Sequence, residues 1–215
     1  MTLPAAKSLT PRDENLLHAL THRVRVLTLN QVARTFWAGA SETSAAEPRL
    51  DQLCGAGLLE RLVRMAHPEL PLSAPLATWQ PGLPRPALTA LARQLRSRWR
   101  LPDTATVMYT ATRAAAALTG GHGDRPLRTS ETTHDIHLAG VYLLMRRELP
   151  TRARSWKSEA RLLAEGRGRH EKLPDAVVTD GRSETAIEFG GMYSADKLAA
   201  FHDHCHHSHL GYELW

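Results

Sequence analysis

The spacing of apolar residues divides the first part of the chain into three short helices and one strand. Residues 9–22 carry leucines at helical spacing, after a TPRDE start that supplies a capping threonine, a first-turn proline and first-turn acids. The same spacing predicts helices over 29–37 and 46–57. LLERLVRM, residues 58–65, instead alternates apolar and charged side chains, as a half-buried strand does.

The middle of the chain extends this pattern. It predicts, in order, a proline-rich loop over 66–83, a strongly basic helix over 86–100, a strand over 106–112, a small-residue helix over 112–120 and a Gly-rich, charged linker over 120–128. The strand over 106–112 is expected to pair with the one over 58–65. Three helices followed by a strand pair is the order of a winged helix-turn-helix, whose third helix enters the major groove and whose hairpin forms the wing.

The last third of the chain has a different pattern. It predicts a long helix over 130–149, a strand over 152–164, two strands (LPDAVVTD and ETAIEFG) joined by a turn at Asp180 and Gly181, a helix over 194–208 and a final strand, GYELW. The order is helix, three strands, helix, strand. The sequence therefore predicts an α+β protein.

Composition and net charge indicate which class of binding partner to expect. The chain has 215 residues, 27 Lys and Arg against 22 Asp and Glu, a formal net charge of +5 and a pI near 9.6. This balance favours an anionic partner, of which nucleic acid is the commonest. The chain has no apolar run long enough to span a membrane, no apolar signal-peptide core near residue 1, and only two cysteines. We therefore expect a cytoplasmic protein without a disulfide framework and without a membrane partner.

Six short stretches, in order, resemble one family. They are LTPRDENLLHAL, CGAGLLERL, YTATRAAAAL, THDIHLAGVYL, LPDAVV and the IEFGG and DKLAAFHDH pair. Together they resemble the replication-relaxation family of plasmid and mobile-element proteins. The resemblance implies a winged helix-turn-helix domain over 1–120, a linker over 121–129 and a second domain over 130–215. This second domain is expected to have the order α-β-β-β-α-β and the PD-(D/E)xK nuclease fold of restriction endonucleases. The resemblance also implies double-stranded DNA as the partner.

Asp175 and Glu188 are the predicted centre of that second domain. Two carboxylates on neighbouring strands are what a magnesium-dependent nuclease uses to hold Mg²⁺, so both are candidate catalytic residues and metal ligands. The lysine that such enzymes carry two residues after the glutamate is replaced by Gly190. Lys197, on the next helix, is a candidate substitute.

Two further side chains, Lys157 and Glu159, are expected on the first strand of this domain and could also face the cleft. Three functions stay open. The first is a DNA-binding regulator or replication accessory with a degenerate nuclease-like domain that serves as a second DNA surface or a homodimer contact. The second is a magnesium-dependent endonuclease, and the third is a protein-interaction module of a larger nucleic-acid machine.

Seven arginines are candidate DNA contacts. Arg49 lies on the predicted third helix, Arg61 and Arg64 lie on the wing strand, and the others cluster on the basic helix: Arg93, Arg96, Arg98 and Arg100. No acidic residue lies between 85 and 102, so partners for ion pairs within that helix are scarce.

FHDHCHHSH, residues 201–209, is rich in potential zinc ligands. His202 with His206, and Cys205 with His209, have i, i+4 spacing on a helix. One helix offers too few convergent ligands, so the pattern favours a solvated helix face over a metal site.

Overall fold

The computed structural model describes residues 8–37, 43–121, 127–168, 172–181 and 183–215. The chain forms two compact units. Unit 1 comprises Met1–Ala66 and Thr104–Ala139, and unit 2 comprises His67–Asp103 and Gly140–Trp215. The chain therefore leaves unit 1 after Ala66 and returns to it at Thr104.

Helices and strands alternate irregularly along the described residues. The helices are α1 Pro11–His22, α2 Leu29–Phe36, α3 Glu47–Gly55, α4 Leu88–Ser97, α5 Arg113–Thr119, α6 Thr132–Glu148, α7 Pro150–Arg154, α8 Glu159–Ala164 and α9 Ala195–His207. The strands are β1 Leu27–Thr28, β2 Leu59–Ala66, β3 Ala77–Trp79, β4 Thr104–Ala111, β5 Lys157–Ser158, β6 Ala176–Asp180, β7 Ser183–Glu188 and β8 Gly211–Leu214. Within the described ranges, no helix is long and apolar enough to cross a bilayer.

Unit 1 contains a three-stranded antiparallel sheet of order β1-β4-β2, together with α1, α2, α3 and α5. Capping boxes begin two of the helices: Thr10 and Asp13 at α1, and Thr28 and Gln31 at α2. β2 pairs with β4 over its whole length, which confirms the predicted strand pair. Leu16, Leu17 and other apolar residues at helical spacing are buried in its core.

Unit 2 contains a five-stranded sheet of order β3-β8-β7-β6-β5. β7 and β8 are parallel and α9 connects them, whereas the other neighbours are antiparallel. One core cluster packs α4 and α9 against the sheet through Trp79, Leu95, Phe201 and Tyr212. The α+β class is confirmed.

Two predicted elements are wrong. Residues 152–164 were expected to form a strand, but they form the end of α7, the two-residue β5 and then α8. Ala153, Trp156 and Leu162 are buried, so this segment packs its apolar residues from two short helices. The proline-rich 66–83 loop contains β3, which pairs with β8.

The division of the chain also differs from the predicted boundaries. Residues 67–103 group with unit 2 rather than with the N-terminal domain, because β3 extends the β8 edge and α4 packs on α9. Residues 127–139, which span the end of the expected linker and the start of the expected second domain, group with unit 1. Most of the expected 121–129 linker, residues 122–126, lies outside the described residues. Gly121 itself is packed, because a Cβ there would lie 2.6 Å from Cβ of Thr21.

Candidate functional site

The two predicted carboxylates are brought together by the pairing of β6 with β7. Ala176 pairs with Ile187, so Asp175 and Glu188 lie opposite each other one residue further along. The backbone N–H of Asp175 donates to Oε2 of Glu188 at 3.4 Å, and the backbone N–H of Phe189 donates to Oδ2 of Asp175 at 2.8 Å. The carboxylates therefore also tie the two strand ends together.

Glu188 is almost fully buried, with 1% of its surface exposed. Its Oε1 accepts a hydrogen bond from the Tyr193 hydroxyl at 2.7 Å and lies 3.4 Å from Nζ of Lys172. Burial, together with the charges of Glu188 and Asp175, raises the pKa of Tyr193 far above its ordinary value. Tyr193 is therefore a neutral donor at any physiological pH, and the buried carboxylate has both a hydroxyl and an ammonium partner.

Lys197 belongs to the same cluster. Its Nζ lies 3.5 Å from the centre of the Tyr193 ring, a cation-π contact. Partial burial and the nearby Lys172 ammonium lower the pKa of Lys197, against the opposite effect of Glu188 and Asp175. We refer to Lys172, Asp175, Glu188, Tyr193 and Lys197 as the carboxylate cluster.

The other two candidates do not complete this cluster. Nζ of Lys157 donates to Oε2 of Glu165 at 2.9 Å. Glu159 is the first residue of α8, not a strand residue, and its backbone N–H donates to the carbonyl of Asp175 at 3.1 Å. Among the residues that the structure describes, no group of three His, Cys, Asp or Glu side chains could hold a metal ion, so Glu159 adds no third ligand.

A magnesium ion needs several hard oxygen ligands in near-octahedral geometry. As arranged, the carboxylate cluster does not fit one. Oε1 of Glu188 is bonded to Tyr193 and faces Lys172, and Oδ2 of Asp175 accepts from the backbone. The arrangement satisfies the buried charge of Glu188 with protein donors.

Gly190, where the nuclease pattern expects a lysine, is packed against two leucine side chains. A Cβ at this position would lie 2.7 and 2.8 Å from the two δ-carbons of Leu95 and 3.1 Å from Cδ1 of Leu214. Leu95 is on α4, so this helix packs where a side chain of residue 190 would have to project. A side chain at position 190 would therefore have to displace the δ-carbons of Leu95, which pack α4 on the end of β7.

Three arginines form an exposed stripe on α4 and its C-terminal extension. Arg93, Arg96 and Arg100 are exposed; Arg93 and Arg96 lie one turn apart on α4, and Arg100 lies three residues beyond its last residue, Ser97. Their Nε atoms contact backbone carbonyls only: Thr89 at 3.4 Å, Ala92 at 3.3 Å and Ser97 at 3.0 Å. We call these three residues the α4 arginine stripe.

Arg98 has a different environment from the three arginines of the α4 arginine stripe. Its Nη2 donates to the carbonyl of Trp215 at 3.1 Å, and its guanidinium lies 5.2 Å from the centre of the Phe189 ring. Burial lowers the pKa of Arg98 to about 10. Arg98 therefore packs inside unit 2 and is not placed to contact a phosphate.

The predicted recognition helix α3 also presents little positive charge. The Arg49 guanidinium is bonded to Asp13 and Gln52, whereas the exposed residues of the helix are Pro48, Asp51, Gln52 and Gly55. On β2, Arg61 is exposed, and Nη1 of Arg64 donates to the carbonyl of Val63 at 3.1 Å. Arg61 is the candidate of unit 1 that is best placed to reach a ligand.

The histidine-rich segment packs against the core through one face. His202 is buried, its Nδ1 lies 3.2 Å from the Tyr212 hydroxyl, and its ring packs edge-on against Trp79 at 4.8 Å. Cys205 is fully buried, and burial raises its pKa to about 12, whereas His209 is exposed. The Cys205 and His209 pair therefore does not converge on a shared metal.

Lys172 and Tyr193 were missed at the sequence level. Lys172 lies three residues before Asp175, and Tyr193 lies five residues after Glu188. Strand or helix periodicity does not place a side chain at either of these distances along the chain next to the two carboxylates. The only sequence signal was their proximity to the PDAVV and IEFGG segments.

No protein-family model matches this chain, and neither do the curated proteins or the solved structures that were searched. The functional assignment therefore rests on the chain's own residues.

Proposed function

We propose that this protein binds duplex DNA, with the α4 arginine stripe of unit 2 as its principal phosphate-contacting surface, and that Arg61 of β2 is a separate candidate contact on unit 1. The observation that carries the proposal is the α4 arginine stripe itself. Its three guanidiniums are exposed, their Nε atoms contact only backbone carbonyls, and α4 has no acidic residue. Arginines in this state are suited to phosphate oxygens.

The element order of unit 1 supports the same proposal. Helices α1, α2 and α3 precede β2 and β4, and β1 lies on the far side of β4. This order and pairing are typical of winged helix domains, a common DNA-binding architecture. Here residues 67–103 occupy the sequence position of the loop between the wing strands.

The carboxylate cluster has a structural role in this proposal. Its charged and polar groups satisfy one another at the ends of β6 and β7, so unit 2 is a nuclease-like domain without cleavage chemistry. The setting implied by the family resemblance is a regulator or a replication or mobilisation accessory of a plasmid or other mobile element, acting in the cytoplasm.

The direct test is a titration of a fluorescently labelled DNA duplex with the protein at several salt concentrations, followed by fluorescence anisotropy. Each phosphate contact contributes about 0.9 to the slope of log K against log salt, so three arginines should contribute a slope of about −2.7. The absence of binding at low salt, or binding that does not change with salt, would contradict the proposal. Either result would favour the protein-interaction module.

The rival function, a magnesium-dependent endonuclease, has one observation in its favour. Lys172 and Lys197 both lie close enough to the carboxylates for their charges to interact with them. A lysine in such a place could stabilise charge that develops on a scissile phosphate. The two functions differ in whether DNA is cut, which an incubation of DNA with the protein and a divalent metal decides.

A further inference from the structure

β2 is the edge strand of the unit 1 sheet. It pairs with β4 on one side, and the sheet order β1-β4-β2 leaves its other side as the sheet margin. At eight residues it is also one of the two longest strands in the described part of the chain. A long edge strand exposes a row of backbone donors and acceptors that can pair with another strand.

The register identifies which residues carry those outward groups. The backbone N–H of Thr112 donates to the carbonyl of Leu58 at 3.1 Å, and this pair continues the register of β2 with β4. Because hydrogen-bonded and non-bonded pairs alternate in an antiparallel ladder, even-numbered residues of β2 bond to β4. The N–H and C=O groups of Arg61, Val63 and Met65 therefore point away from the sheet.

One contact agrees with this assignment. The guanidinium of Arg64 donates to the carbonyl of Val63, which is one of the outward-pointing groups. Within the described ranges, this is the hydrogen bond that reaches the outer side of β2. The side chains of Val63 and Met65 are 47% and 56% exposed, so apolar surface accompanies the open edge.

We propose that β2 is a self-association surface, on which β2 of a second copy pairs antiparallel about a two-fold axis at Leu62. In this register Arg61 and Val63 of opposite copies exchange both backbone hydrogen bonds, which are the groups that point outward. Glu60 then lies directly opposite Arg64 of the second copy. That pair occupies a non-bonded position, where side chains across two strands are closest.

The charges of β2 select this register over its neighbours. An axis at Arg61 would place the two Arg61 side chains opposite each other, and like charges in that position are destabilising. An axis at Val63 would place Arg64 opposite Leu62 and Glu60 opposite Ala66, so neither charge would have a partner. The axis at Leu62 forms the Glu60 and Arg64 ion pair twice and joins the two unit 1 sheets into one.

Charge reversal tests the pairing. Glu60→Arg and Arg64→Glu should each weaken self-association about tenfold, because each creates two like-charge pairs across the axis. The double variant Glu60→Arg with Arg64→Glu restores both ion pairs and should return the dimerisation constant to near the wild-type value. Sedimentation velocity over a wide range of protein concentrations measures the constant. Glu148→Arg, an exposed reversal at the end of α6, is the matched control and should have no effect.

A wild-type protein that stays monomeric at every concentration would overturn the proposal. A dimer that Glu60→Arg leaves unchanged, or that the double reversal does not restore, would overturn it as well. None of these results depends on DNA, so failure here is distinguishable from failure of the proposed DNA binding.

Disulfide trapping tests the position of the axis. A residue on the axis faces itself in the second copy, and Cα atoms in a non-bonded pair are about 4.5 Å apart, a distance that a disulfide spans. Leu62→Cys should therefore crosslink under mild oxidation, in a Cys54→Ser background that removes the partly exposed native thiol. Met65→Cys is more exposed but faces Leu59, so it should crosslink much more slowly. Equal crosslinking of the two variants would overturn the register.

Discussion

The guanidinium of Arg49 lies 2.6 Å from Oδ2 of Asp13, and Asp13 is fully buried. Burial alone would raise the pKa of Asp13, but the hydrogen bonds from Arg49 and Thr10 outweigh this effect and lower it overall. The pair links the first turn of α1 to α3. Arg49, which the sequence presents as a base-contacting residue, therefore stabilises the fold of unit 1.

We expect Arg49→Ala to lower the free energy of unfolding by about 3 kcal/mol, because it leaves a buried carboxylate without its charged partner. Chemical denaturation measures the loss. The double variant Arg49→Ala with Asp13→Asn should lose less, since it removes the unpaired charge as well. A variant that keeps wild-type stability but binds DNA more weakly would instead restore Arg49 to the groove-contacting role.

The sequence predicts those parts of the fold that local patterns determine. The capping box of Thr10 and Asp13 marks the start of α1, and the alternation in β2 marks its strand character. Gly181, with φ of 63°, lies in the turn that sets the register of β6 and β7, and this register brings Asp175 to Glu188. These features depend on residues that are close in sequence.

The features that the sequence did not predict depend on partners far away in the chain. β3 is three residues long and exists because it pairs with β8 at the other end of the chain. The exclusion of a side chain at position 190 is caused by Leu95, which lies on a helix expected in the other domain. Tertiary packing determines both features, and the periodicity of apolar residues along the chain carries no information about tertiary packing.

Gly190→Ala should destabilise the protein by about 1 to 3 kcal/mol, the usual cost of adding a methyl group to a filled core. Its backbone is outside the left-handed region, so the loss is due to the contact with Leu95 and Leu214. Thermal or chemical unfolding measures it. Gly55→Ala is the control: it sits at the end of α3 with no atom within 4 Å of the added carbon and should be neutral or slightly stabilising. If both substitutions had the same effect, the packing explanation would be wrong.

His202 should make stability depend on pH below neutrality. Burial and the charge of Arg85 lower the pKa of His202 in the folded state, whereas Asp203 opposes and His206 adds to this effect. The folded protein therefore binds this proton less tightly than the unfolded chain does. The contribution of His202 to stability is constant above the unfolded pKa of 6.5 and falls as the pH decreases from 6.5 towards the lower folded pKa.

His202→Gln should remove this part of the pH dependence, because glutamine does not titrate. Unfolding free energies measured at several pH values below neutrality give the slope. His207→Gln, at an exposed position of the same helix, should leave the slope as it is in the wild type. A wild-type slope that survives in His202→Gln would show that another group is responsible.

Charge reversal of the α4 arginine stripe should weaken binding to all DNA sequences alike. Phosphate contacts carry no sequence information, so the triple variant Arg93→Glu, Arg96→Glu, Arg100→Glu should lose affinity equally for unrelated duplexes. Its salt slope should fall by about 2.7 in magnitude. The single variant Arg96→Glu should lose part of this affinity, whereas its matched control Arg147→Glu, at an exposed residue that is already bonded to Glu148, should lose much less. A loss confined to one DNA sequence would show that the stripe reads bases.

The carboxylate cluster separates a DNA-binding protein from a nuclease. The Tyr193 hydroxyl and the Lys172 ammonium satisfy Oε1 of Glu188, and position 190, where the nuclease pattern has a lysine, is a glycine packed against Leu95. We therefore expect no cleavage of supercoiled, linear or single-stranded DNA above background when magnesium or manganese is supplied. Glu188→Gln, which keeps the size of the side chain, should still bind DNA. The assay is agarose electrophoresis of the DNA after incubation with purified protein.

Lysine variants decide the outcome if cutting is seen. Cutting that is lost in both Asp175→Ala and Lys197→Ala would establish the nuclease and identify Lys197 as the lysine that replaces the one missing at position 190. Cutting that survives in Lys197→Ala but not in Lys172→Ala would assign that role to Lys172 instead. Lys157→Ala is the control, because Lys157 is bonded to Glu165 and should not affect cleavage. Cutting that is unchanged in Asp175→Ala would come from a contaminating nuclease and would leave the carboxylate cluster in its structural role.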